Sequence, residues 1–122
     1  MPQRRIKPID GITAVRAVLA DSSKRVNSDA EFKTAVRFLL EELSFLRPGK
    51  SVEVRVPPLG AVQCIDGLEH RRGTPPNTVE LSSGDWFALA VGEASWADLV
   101  ASGRLVASGT RSDLSEVFPI WR

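Results

Sequence analysis

Hydrophobic and polar positions change period repeatedly along residues 78–109, TVELSSGDWFALAVGEASWADLVASGRLVASG. Val79 and Leu81 alternate with Thr78, Glu80 and Ser82, the two-residue period of a half-buried strand. Ser82 then stands three residues before Asp85, the spacing of a capping box that opens a helix. Trp86, Leu89 and Ala90 fall on one face of that helix, and Phe87 and Val91 widen its apolar stripe. Gly92 is a natural helix stop. Ser95 and Asp98 repeat the cap for a second short helix that is expected to bury Trp96, Leu99 and Val100 and to end at Gly103. Leu105 and Ala107 alternate with Arg104, Val106 and Ser108 in a closing strand.

The upstream half carries two more helical patterns and a hairpin. Asp10 can cap a helix that runs to Leu19, with Ile12, Val15 and Leu19 on one face. Ser28 and Glu31 form a capping box for a longer helix ending near Leu46. Its main stripe is Phe32, Ala35, Val36, Leu39, Leu43 and Leu46, and Phe38, Leu40 and Phe45 lie off it. Such a surplus is core under a second element, or else it lines a ligand cavity or a dimer contact. Residues 51–57 alternate with Val52, Val54 and Val56 inward. The run Pro57, Pro58, Leu59, Gly60 reverses the chain, and residues 61–65 form the hairpin partner. His70, Arg71, Arg72 and Gly73 read as a short edge strand, and the prolines at 75 and 76 as a stiff connection that either is structural or holds an anion. Ser112 can cap a short helix over 113–118, ended by Pro119, after which Trp121 is expected to pack back on the body.

Composition narrows the function classes. The chain has 122 residues, enough for one domain with a real core, and residues 1–8, with Arg4, Arg5 and Lys7, are expected to be a flexible N-terminus. A net charge of +1 gives no electrostatic footprint for nucleic acid. No apolar run suggests a signal peptide or a span, so no stable membrane insertion is expected and the cytoplasm is the default compartment. One cysteine and one histidine make neither a disulfide framework nor a typical zinc site, and no metal or cofactor is expected.

Catalytic motifs are missing from the sequence: there is no G-x-S-x-G, P-loop, G-x-G-x-x-G, H-E-x-x-H or C-x-x-C. His70 reads as exposed among arginines and Cys64 as a buried, inert thiol, so no catalytic residue is assigned. Glu53, Arg55, Gln63 and Glu80 occupy the outward phases of three strands. If those strands are neighbours the four share a face, either solvated and laced by cross-strand pairs or forming a polar rim for a ligand head group.

The core G-D-W-F-A-L-A-x-G at 84–92, followed by A-S-G-R-L-V-A-S-G at 101–109, resembles the sterol carrier protein 2 family, and more particularly its actinobacterial branch of bacterial sterol-carrier orthologues. The likeness extends over P-G-K-S-V-E-V-R-V-P-P at 48–58, A-V-Q-C at 61–64, R-G-T-P-P-N at 72–77 and S-G-T-R-S-D-L-S at 108–115. The C-terminal part of mycothiol-dependent maleylpyruvate isomerase-like proteins is similar. The resemblance implies one α+β domain over 1–122, a mostly antiparallel sheet of about five strands with helices covering one face. It also implies non-enzymatic binding of a lipid or other apolar small molecule between sheet and helices. Helical phase and family likeness together nominate Phe38, Leu40, Trp86, Phe87, Leu89, Trp96 and Leu99 as lining, and Arg72 and Arg111 as additions to the polar rim of Arg55, Gln63 and Glu80. The family's longer C-terminal helix is shortened here, which argues against closure over a sterol-sized guest. The alternative is an accessory or interaction module with no ligand cavity of its own, acting beside a separately encoded, thiol-dependent enzyme. The partner expected besides a small molecule is a second copy of the chain or such an enzyme.

Overall fold

The computed structural model describes residues 4–67 and 77–122. Helix α1 spans Pro8–Ala20 and starts two residues before the Asp10 cap expected from sequence. Pro8 is the reason: it occupies the first turn, where its missing N–H costs nothing and its fixed φ suits the helix. Helix α2 spans Ala30–Leu46 and is capped by Asp29, which accepts the Phe32 N–H at 2.9 Å, rather than by Ser28. Glu31, the expected partner of Ser28, instead pairs with Lys24 at 3.0 Å.

Four strands follow among the described residues: β1 Val52–Val56, β2 Gly60–Cys64, β3 Asn77–Leu81 and β4 Leu105–Ser108, in the order β2-β1-β3-β4. The expectation of about five mostly antiparallel strands is corrected to a mixed sheet. Its central pair, β1 and β3, is parallel, while β1–β2 and β3–β4 are antiparallel. A parallel neighbour needs a crossover, and here the chain passes through the edge strand β2 before it returns as β3. The edge strand expected at His70 to Gly73 and the proline connection after it lie outside the described residues.

Helices α3 (Ser83–Ala90) and α4 (Trp96–Ala101) join β3 to β4. Their caps are those read from sequence: Ser82 Oγ accepts the Asp85 N–H at 3.2 Å, and Ser95 Oγ accepts the Asp98 N–H at 3.1 Å. Gly92 and Gly103 leave these helices at φ 86° and 75°, a region that disfavours a side chain. With fewer than two turns, α4 buries only Leu99; Trp96 is half-buried and Val100 is 43% exposed, contrary to expectation.

Val52, Val54, Val56, Val79, Leu81 and Leu105 project from the sheet into the core, against α2 and α3. Two elements take up the apolar surplus of the helices. Helix α1 lies on α2 so closely that a Cβ on Gly11 would overlap the Phe38 ring. The C-terminal tail returns to α3: the N–H groups of Ile120 and Trp121 both donate to the Ala90 carbonyl at 2.9 Å. Phe118 meets Trp86 edge-on at 5.7 Å and stacks on Trp96 at 6.0 Å. The helix expected over 113–118 is a single 3-10 turn, Ser115–Val117. Asp113 opens it by accepting the Ser115 N–H at 2.9 Å, whereas the Ser112 hydroxyl donates to the Gly109 carbonyl.

Candidate functional site

Among the described residues a large cleft, of about 1080 Å³, runs between α2 and β2. Helical geometry puts Thr34, Arg37, Leu40, Glu41 and Ser44 on one face of α2, and all five line the cleft. Strand β2 supplies the facing wall, with Gly60 in the same inward phase as Val62 and the buried Cys64. Gly60 has no side chain to fill the space: a Cβ built there would sit 3.5 Å from Leu40 Cδ1, in ordinary contact. The missing side chain leaves a gap under α2. Leu40 and Leu59, 3% and 6% exposed, form its apolar floor with Val62 and Ile6.

Polar groups frame this floor. Arg37 Nε donates to the Leu59 carbonyl at 2.8 Å, which ties the guanidinium to the hairpin turn. Residues 4–6 lie along α2: the N–H groups of Arg5 and Ile6 donate to the two Glu41 carboxylate oxygens at 3.0 and 3.2 Å. Arg4 pairs with Glu42 at 2.6 Å and lies 4.4 Å from the Phe45 ring centroid. Pro48, Gly49 and Lys50 close one end of the cleft. A smaller cleft of about 270 Å³ lies between α1, α2 and the tail, lined in part by Arg4, Phe38, Glu42 and Trp121.

The seven nominated lining residues are distributed over three places. Leu40 lines the large cleft and Phe38 the small one. Trp86, Phe87, Leu89 and Leu99 are buried in the core, and Trp96 packs half-buried on Phe118; these five line neither cleft. Register brings Glu53, Arg55, Gln63 and Glu80 to one sheet face, since Glu53 pairs with Gln63 and Arg55 with Glu80. Arg55 also forms an ion pair with Glu53. Gln63 additionally lines the large cleft. Arg111 serves a different end: its N–H donates to Asn77 Oδ1 at 2.9 Å and its Nη1 to the Asp66 carbonyl at 3.0 Å, tying three chain segments together. Arg72 and His70 lie outside the described residues.

Sequence reasoning passed over Ile6, Arg37, Leu59, Gly60 and Val62. Gly60 was the available signal, because a glycine in an inward strand phase marks a place where something else approaches the backbone. Cys64 is buried at the end of β2, and that burial pushes its thiol up to about 12, away from nucleophile chemistry. Among the described residues no cluster of His, Cys, Asp or Glu could hold a metal ion, and no helix is long and apolar enough to cross a membrane.

An open sheet with helices packed on one face, and a half-apolar cleft where helix meets strand, make this a small α+β domain. The family model for the bacterial SCP ortholog matches residues 28–120, and the chain belongs to that family. The family suggests binding or carriage of apolar ligands on a generally non-enzymatic fold. Comparison with curated proteins gives no match.

Proposed function

We propose that this protein binds, and carries, an apolar or amphipathic small molecule in the cleft between α2 and β2. The single observation that supports this reading most is the gap at Gly60, floored by Leu40, Leu59, Val62 and Ile6 and open to solvent on one side. Binding sites for small molecules are concavities of this kind, mostly apolar with a few placed polar groups. Each methylene moved from water onto the floor contributes about 0.8 kcal/mol. The buried Phe38, Trp86, Phe87, Leu89 and Leu99, with the half-buried Trp96, belong to the packed body behind the gap.

No step of this function needs bond chemistry. The polar groups in the cleft orient a guest and shield nothing reactive.

The test is a titration with the neutral fluorescent probe N-phenyl-1-naphthylamine. Wild type should bind it in the micromolar range, with blue-shifted emission. Gly60→Phe should fill the gap, abolish binding and leave the melting transition in place. A wild type that binds no probe, or a folded Gly60→Phe variant that binds as well as wild type, would overturn the reading.

A further inference from the structure

We infer that the cleft selects guests by charge, taking amphiphiles with an anionic carboxylate or phosphate head, and that Arg37 and Lys50 are the residues that select them. This inference rests on the cleft being the binding site.

Charge in the cleft is lopsided although the whole chain is nearly neutral. Three cationic residues line it, Arg5, Arg37 and Lys50, against one carboxylate, Glu41. Both oxygens of Glu41 are already occupied by the Arg5 and Ile6 backbone N–H groups. Glu41 holds residues 4–6 against α2 and offsets one of the three cations, so the lining keeps a net positive charge. Among the described residues, none of the three cations takes part in an ion pair, whereas Arg4, Lys24, Arg25, Arg55 and Arg104 all do.

Arg37 is also pre-positioned. Its Nε is fixed on the Leu59 carbonyl, and Leu59 is part of the apolar floor. The guanidinium thus sits at the boundary between floor and rim, with its two terminal nitrogens still able to donate. That is the arrangement for a bidentate contact to a carboxylate or phosphate whose tail lies on Leu40 and Val62. Lys50 adds a second, flexible charge at the end formed by Pro48 and Gly49. A neutral head would leave these donors unused, and a cationic head would be repelled.

The experiment is displacement of bound N-phenyl-1-naphthylamine by four amphiphiles with the same tail: dodecanoate, dodecyl phosphate, dodecanol and dodecyltrimethylammonium. Dodecanoate and dodecyl phosphate should displace at concentrations about tenfold lower than dodecanol, as expected for one charge-assisted contact. Dodecyltrimethylammonium should be the weakest. Inorganic phosphate alone should displace nothing. Arg37→Gln and Lys50→Gln should each weaken the two anionic amphiphiles severalfold more than they weaken dodecanol. Lys50→Gln is an exposed change, so it tests selection even if Arg37→Gln disturbs the hairpin turn. Equal displacement by dodecanol and dodecanoate, or anion preference intact in both variants, would overturn charge selection while leaving the binding site standing. Displacement by inorganic phosphate as effective as by dodecyl phosphate would overturn the claim that an amphiphile is read. A probe that never binds would remove the site and the selection together.

Discussion

The indole N–H of Trp86 donates to the Val36 carbonyl at 3.2 Å, joining α3 to the middle of α2 across fifty positions of sequence. Trp86 is fully buried, so this bond satisfies a donor that has no access to water. It also sets where α2 lies, and α2 forms one wall of the large cleft. Trp86→Phe should therefore destabilise by about 1–3 kcal/mol, the cost of a lost bond and a small void. Trp86→Ala should cost about 3–5 kcal/mol. Chemical denaturation followed by circular dichroism checks both.

Gly11 and Phe38 make the close approach of α1 to α2. A methyl group at position 11 has no room beside the Phe38 ring, so Gly11→Ala should destabilise by about 1–3 kcal/mol despite alanine's better helix propensity. The double variant Gly11→Ala, Phe38→Leu should recover part of that loss. Additive losses in the cycle would show that the two residues are not coupled.

Cys64 should be silent toward thiol reagents in the native protein. Burial favours its neutral form, raising the folded value from 9.0 to about 12. The folded state therefore keeps its proton where the unfolded state loses it. The associated stability is complete below pH 9 and is lost as pH rises from 9 toward 12. Ellman's reagent at pH 8 should find no reactive thiol in native protein and the single cysteine in urea. Rapid labelling under native conditions would contradict the burial.

Arg25 grips Glu93 with two bonds, at 2.7 and 3.0 Å, while its guanidinium carbon lies 4.8 Å from the Phe87 ring centroid. The bond to Arg25 holds the Glu93 carboxyl below its ordinary 4.5, against a smaller opposing effect of burial. A lowered carboxyl stabilises the fold above that value and stops doing so as pH falls through the lowered one. The pair is partly exposed, so its worth is about 0–1 kcal/mol. Glu93→Gln should cost that much at pH 7 and progressively less as the pH falls below 4.5, seen as convergence of the two melting temperatures in acid.

Much of the frame was legible because short-range signals agreed with the tertiary structure. Ser82 with Asp85, and Ser95 with Asp98, are caps whose donor and acceptor lie three residues apart, so sequence spacing alone reports them. The alternation of Val52, Val54 and Val56 likewise places one face of β1 in the core. The parallel pairing of β1 with β3 was not legible, since register between distant strands depends on a crossover and leaves no local period. The spacing of Ser28 to Glu31 suits a capping box, but Glu31 pairs with Lys24 and Asp29 caps the helix, a competition that spacing does not reveal. The cleft was the hardest part to read. Large apolar residues such as Trp86 and Phe87 stand out in the sequence, and these are the ones that packing buries in the core. Space under α2 comes from an absence, the missing side chain of Gly60, next to the modest residues Leu40, Leu59 and Val62.

The most direct test of a guest-binding cleft under α2 is photo-crosslinking with a long-chain fatty acid bearing a terminal diazirine, mapped by peptide mass spectrometry. Labels on Leu40, Leu59 or Val62, competed away by unlabelled fatty acid, are the predicted result. Labels confined to the Phe38 and Trp121 cleft, or labelling that no competitor reduces, would contradict it.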